Sequence, residues 1–99
     1  MINLTDGILR ARYRNSMEKA EPMVPGTVYR LRVELWSTAN IFLKGHRLRV
    51  DIASSNFPRF DRNPNTGASP EAPGPAVSAM NTILHDREHP SALLLPLVP

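Results

Sequence analysis

The densest run of chemistry-bearing side chains is His85-Asp86-Arg87-Glu88-His89, which has the H-x-x-E-H order of one class of zinc peptidase. Two histidines at that spacing hold one metal only when a helix puts both on the same face and a further ligand arrives from elsewhere. Pro90 follows at once, the flanking segments favour strands, and no third ligand stands out on another helix. The run therefore reads as a solvated turn, and no metal and no cofactor is expected. Ser54, Ser55, Asp61 and His85 occur in the order of a serine-acid-histidine triad, but Ser55 is followed by Asn56-Phe57-Pro58. A nucleophile elbow needs glycine-flanked serine between a strand and a helix to strain and expose the hydroxyl. These serines are better suited to satisfying backbone groups at a strand end, and no catalytic residue is expected.

Arg30, Arg32, Arg47 and Arg49 can align across adjacent strands as a basic stripe, with Glu34 and Asp51 as cross-strand partners on a solvated sheet face. Asn56, Asn63 and Asn65 with Arg59, Asp61 and Arg62 form the densest polar group of the chain. Either they stitch their own loop together through side-chain to backbone bonds, or they present it to another domain. Trp36, Phe42, Phe57 and Phe60 sit at strand ends and in loops, where aromatics serve as core plugs more often than as ligand platforms.

The elements that must position these groups follow from period-two alternation. Residues 27–35 place Tyr29, Leu31, Val33 and Leu35 against Arg30, Arg32 and Glu34, the pattern of a half-buried strand. Residues 47–53 repeat it with Leu48, Val50 and Ile52 against Arg47, Arg49 and Asp51. Residues 8–14 alternate as well, behind the Asp6-Gly7 turn signal, and are expected to form a strand. Residues 77–84 and 92–98 are apolar enough for two more, the last an edge or terminating strand because of Pro96. Polar residues 15–26 connect the first two strands, and residues 56–76, rich in proline and asparagine, make a long loop. The expected class is all-β, a portion of a sandwich or jelly roll over residues 1–99.

Composition narrows the function. Ten of the twelve basic residues are arginine, whose planar fork suits carboxylates and protein interfaces, so the net charge of +3 is not taken as a nucleic-acid footprint. The chain has no cysteine, which removes disulfides and thiolate metal sites. No apolar run approaches the roughly 20 residues of a membrane span, and no membrane partner is expected.

Asp6-Gly7-Ile8-Leu9-Arg10-Ala11-Arg12-Tyr13-Arg14 resembles a segment of the C-terminal domain of cocaine esterases, X-Pro dipeptidyl-peptidases and α-amino-acid ester hydrolases. Further likenesses follow in the same order. Pro25-Gly26-Thr27-Val28-Tyr29 and Gly45-His46-Arg47-Leu48-Arg49-Val50 resemble the openings of two later strands. Residues 54–63 with Asn65-Thr66-Gly67 resemble the family's long loop, the most specific of these runs, and His89-Pro90-Ser91 with Leu95-Pro96 resembles its closing strand.

The resemblance implies the later half of a galactose-binding-like jelly roll, non-catalytic, packed in the intact enzyme against an α/β-hydrolase domain and walling its cleft. It also implies that the triad lies outside this chain, which is expected to be inactive alone. In that reading His46, Asn56, Arg59, Asp61, Arg62 and Asn63 hold the long loop against the catalytic domain. The implied partner is that domain, or a second copy of the chain in a homo-oligomer if it folds by itself. A stand-alone carbohydrate- or ligand-binding sandwich and a functionless truncated product are the alternatives.

Overall fold

The computed structural model describes residues 1–99, which fall into two compact units, Met1–Asp51 and Ile52–Pro99. The single regular element is a 3-10 turn over Ala11–Tyr13. It begins after Arg10, which is extended, and its closing bonds run from the Tyr13 N–H to the Arg10 carbonyl (2.8 Å) and from the Arg14 N–H to the Ala11 carbonyl (3.2 Å). This replaces the second half of the strand expected over residues 8–14.

The cause of that replacement is the Arg14 side chain. Its guanidinium donates to the Ala11 carbonyl (2.9 Å) and the Glu21 carbonyl (2.6 Å), and it lies 4.5 Å from the centre of the Tyr29 ring. The Glu21 N–H returns a bond to the Arg12 carbonyl (2.7 Å), and the Tyr29 hydroxyl accepts the Val24 N–H (3.0 Å). A strand would send Arg14 outward to solvent. Here its side chain is only 12% exposed, because one guanidinium satisfies two carbonyls and covers an aromatic face at once.

The rest of the first unit is organised by turns. The Val24 carbonyl accepts the Thr27 N–H (3.2 Å) around Gly26 at φ +80°, a left-handed conformation that suits glycine. The Leu43 carbonyl accepts the His46 N–H (3.0 Å) around Gly45 in the same way. Between these turns residues 27–43 run without helix, turn or bend, and residues 46–53 do likewise. No backbone-to-backbone hydrogen bond engages residues 28–42, and the chain contains no strand ladder. The segment before the 3-10 turn lies against residues 34–36: the Thr5 hydroxyl donates to the Trp36 carbonyl (3.2 Å), and Gly7 packs directly on the Glu34 carbonyl.

In the second unit, residues 64–77 form a closed loop. Its neck is held by the Val77 N–H on the Pro64 carbonyl (2.9 Å) and by the Asn65 side-chain amide on the Val77 carbonyl (2.9 Å). Asn65 is left-handed at φ +59°, a conformation asparagine tolerates better than most residues. Ends this close, spanned by residues that pack on themselves, make an Ω-type loop. It encloses an open groove of about 310 Å³ lined by Pro64, Ala72, Pro73, Pro75 and Val77. Residues 75–85 and 90–99 are again free of turns and bends.

No residue of either unit is buried. Leu31, Val33 and Leu35 stay 42%, 46% and 43% exposed, and Leu48, Val50 and Ile52 lie between 51% and 64%. The alternating apolar residues thus have no core to enter within this chain.

Candidate functional site

The long loop carries five of the six residues singled out from the sequence. It opens with the Phe60 N–H on the Asn56 carbonyl (3.0 Å), a turn that contains the cis Phe57–Pro58 peptide. Two arginines of the loop face its aromatics. Arg62 lies 4.5 Å from the centre of the Phe57 ring and Arg59 5.4 Å from that of Phe60, both within the range where a guanidinium is attracted to a ring face. Asn63 accepts the Asn65 N–H on its side-chain oxygen (3.0 Å), a local turn that sets Asn65 at the loop neck. Asp61 is exposed and takes part in none of these contacts. His46, the sixth residue, belongs to the first unit, where its N–H closes the turn at Gly45.

Asn56, Arg62 and Asn63 thus stitch the loop to itself through ring and backbone contacts. What sequence reasoning missed was the Arg14 cluster and the role of Asn65. Arg14 looked like one more outward-facing arginine of a strand, and nothing in its neighbours' spacing distinguishes it. Asn65 did carry a signal, since Asn63-Pro64-Asn65-Thr66-Gly67 concentrates the residue types that favour left-handed turns.

The histidine run forms a turn. Asp86 accepts the Glu88 N–H (2.9 Å) and the His89 N–H (2.7 Å) on one carboxylate oxygen, and His89 Nδ1 lies 3.4 Å from the same atom. Ser91 closes the turn by donating to the Leu84 carbonyl. No three His, Cys, Asp or Glu side chains gather into a group that could hold a metal ion. No helix is long and apolar enough to cross a membrane.

The His89 N–H, with smaller help from the Glu88 N–H and the His89 ring, holds the Asp86 carboxyl below its ordinary value of 3.8. A depressed carboxylate pKa means that the turn's stabilisation is complete above the unfolded value and is lost as pH falls through the folded one. Asp86 is accordingly expected to titrate below 3.8 in a carbon-detected NMR titration, with the Glu88 and His89 amide shifts moving at the same midpoint. Asp86→Asn, which keeps an acceptor but not the charge, should abolish that midpoint. Amide shifts that instead follow an unperturbed carboxyl would show that the turn does not form.

The sequence profile of the X-Pro dipeptidyl-peptidase C-terminal non-catalytic domain matches residues 2–94. Cocaine esterase from Rhodococcus sp. (strain MB1 Bresler) is 40% identical over 99 residues, which cover 98% of this chain and 17% of that protein. The chain therefore spans about a sixth of the length of the curated relative it matches. No solved structure matches the chain significantly.

Proposed function

The chain belongs to the family of X-Pro dipeptidyl-peptidase C-terminal non-catalytic domains, and on that footing we propose that it buttresses the catalytic domain of an esterase- or dipeptidyl-peptidase-type serine hydrolase. The observation that carries the proposal is the match over residues 2–94 to a domain described as non-catalytic. The exposed apolar alternation of residues 31–35 and 48–52 supports it, because such a pattern needs a covering surface to become stable. In this reading the fold is an all-β, partial jelly-roll sandwich whose strands are the straight runs 27–35, 47–53, 77–84 and 92–98. Its pairing partners are supplied in the larger assembly. The loop over residues 56–76 then presents a pre-shaped surface to the catalytic domain, with Arg59 and Arg62 spread over their own phenylalanines rather than free to wander.

A graft tests this. Cocaine esterase with its matching 17% replaced by this chain should hydrolyse an ester substrate within about an order of magnitude of the parent, whereas the same enzyme lacking that part should lose most of its activity or lifetime. The chain alone should show no ester hydrolysis above a denatured control, as it lacks an elbow and an oxyanion hole. Full activity and full thermal lifetime in the deleted enzyme would remove the buttressing role. Hydrolysis by the chain alone that disappears in Ser55→Ala would overturn its non-catalytic character.

A further inference from the structure

Two contacts in the first unit set a direction and a register. The Thr5 hydroxyl donates to the Trp36 carbonyl and Gly7 packs on the Glu34 carbonyl, so two residues forward on one segment are two residues back on the other. That is the relation of antiparallel strands. Carried on, it sets Leu9 opposite Arg32, Arg10 opposite Leu31, Ala11 opposite Arg30, Arg12 opposite Tyr29 and Tyr13 opposite Val28. Charge selects the same register. Each of these arginines meets an apolar residue, whereas a slip of one residue in either direction places Arg10 directly against Arg30 or Arg32, and like charges directly opposite destabilise a pair.

Both segments alternate as strands do, yet the 3-10 turn at Ala11–Tyr13 interrupts the first of them. Arg14 holds that coil closed. The Ala11 carbonyl accepts both the Arg14 N–H (3.2 Å) and the Arg14 guanidinium (2.9 Å), so turning that carbonyl toward a neighbouring strand breaks both bonds together. The Glu21 carbonyl accepts the same guanidinium (2.6 Å), and the Glu21 N–H fastens the Arg12 carbonyl (2.7 Å). The ring of Tyr29, 4.5 Å from the Arg14 guanidinium, is the place that the register gives to Arg12. One arginine thus occupies what another would hold in the paired state.

We infer that residues 8–13 and 28–33 are an antiparallel strand pair held open by the Arg14 latch, and that release of Arg14 lets them close. Arg12 then takes the Tyr29 ring, and the stems of Arg10 and Arg12 lie along the apolar face of the run. One edge of residues 27–35 finds its partner inside the chain, and the other is left for the larger assembly. The inference rests on the strand reading of these residues proposed above but not on docking to a catalytic domain, which its test does not involve.

The chain has no cysteine, so an engineered pair in the full chain reports the register without interference. Ala11→Cys with Arg30→Cys is the in-register pair, and Ala11→Cys with Leu31→Cys is displaced by one residue. Adding Arg14→Gln should speed intramolecular disulfide formation in the first on the order of tenfold and leave the second slow. By NMR, Arg14→Gln alone should move the backbone HN–Hα couplings of residues 11–13 from turn values to strand values. Arg10→Gln removes the same charge from a side chain that makes no latch contact, and should leave those couplings unchanged. Equal crosslinking of the two pairs, no acceleration by Arg14→Gln, random-coil couplings at residues 11–13 in that variant, the same response from Arg10→Gln, or crosslinks between chains rather than within one would each overturn the inference.

Discussion

Purified by itself, the chain is expected to lose its structure on heating without a cooperative transition, and to gain one only when a covering partner is supplied. Fully burying a valine, leucine or isoleucine side chain is worth about 1.5–3 kcal/mol. Leu31, Val33, Leu35, Leu48, Val50 and Ile52 each keep between 42% and 64% of their surface in water. Roughly half of that stabilisation is therefore withheld, several kcal/mol over six residues, against a total folding margin of only about 5–15 kcal/mol. Local polar contacts such as those of Arg14 and Asn65 do not replace it, because a net hydrogen bond contributes only about 0.5–1.5 kcal/mol. Scanning calorimetry should show no sharp heat-absorption peak, and near-ultraviolet circular dichroism should be weak at Trp36, which is 75% exposed. Fusion to the rest of a hydrolase should restore both signals. A monomeric chain with a sharp peak and a strong aromatic spectrum would show that it closes its own core, and the missing-surface account would fail.

The parts of this structure that could be read from the sequence are those decided by near neighbours. Glycines at 26 and 45 sit in left-handed turns where Pro25-Gly26 and Lys44-Gly45 punctuate the alternating segments, and those segments run straight between them. The Asn-rich stretch 63–67 became the neck of a closed loop for the same reason. Residues 8–14 show where local pattern stops being enough. Their alternation is as clean as that of residues 27–35, yet a guanidinium reaching Glu21 and Tyr29 coils the chain at Ala11–Tyr13. Side-chain reach of that kind leaves no period in the sequence. The candidate loop was legible as a polar cluster, but the pairing of Arg62 with Phe57 depends on the turn between them, which residue types alone do not fix. The straight runs carry no strand ladder in this chain, and their alternation could not have supplied a register, because register depends on the partner strand and the alternation of one segment names only its two faces.

Gly7 supplies the sharpest single-residue test of the first unit. A methyl group added there would collide with the Glu34 carbonyl oxygen, and would come within 3.1 Å of Leu35 Cδ2 and 3.2 Å of the Glu34 carbonyl carbon. Two of those three atoms are backbone, so no rotamer change relieves the overlap and one of the two segments must move. Gly7→Ala is therefore expected to lift residues 5–7 away from residues 34–36, at a cost of about 1–3 kcal/mol typical of overpacking. The hydrogen bond from the Thr5 hydroxyl to the Trp36 carbonyl would break with it. Trp36 is the one tryptophan, so its fluorescence and indole NMR signals report the change without a label. Thr5→Val separates the two causes: it removes the same hydrogen bond but leaves the Gly7 contact, and should shift Trp36 far less. Trp36 signals that stay unchanged in Gly7→Ala would mean that the N-terminal segment does not rest on residues 34–36 in solution.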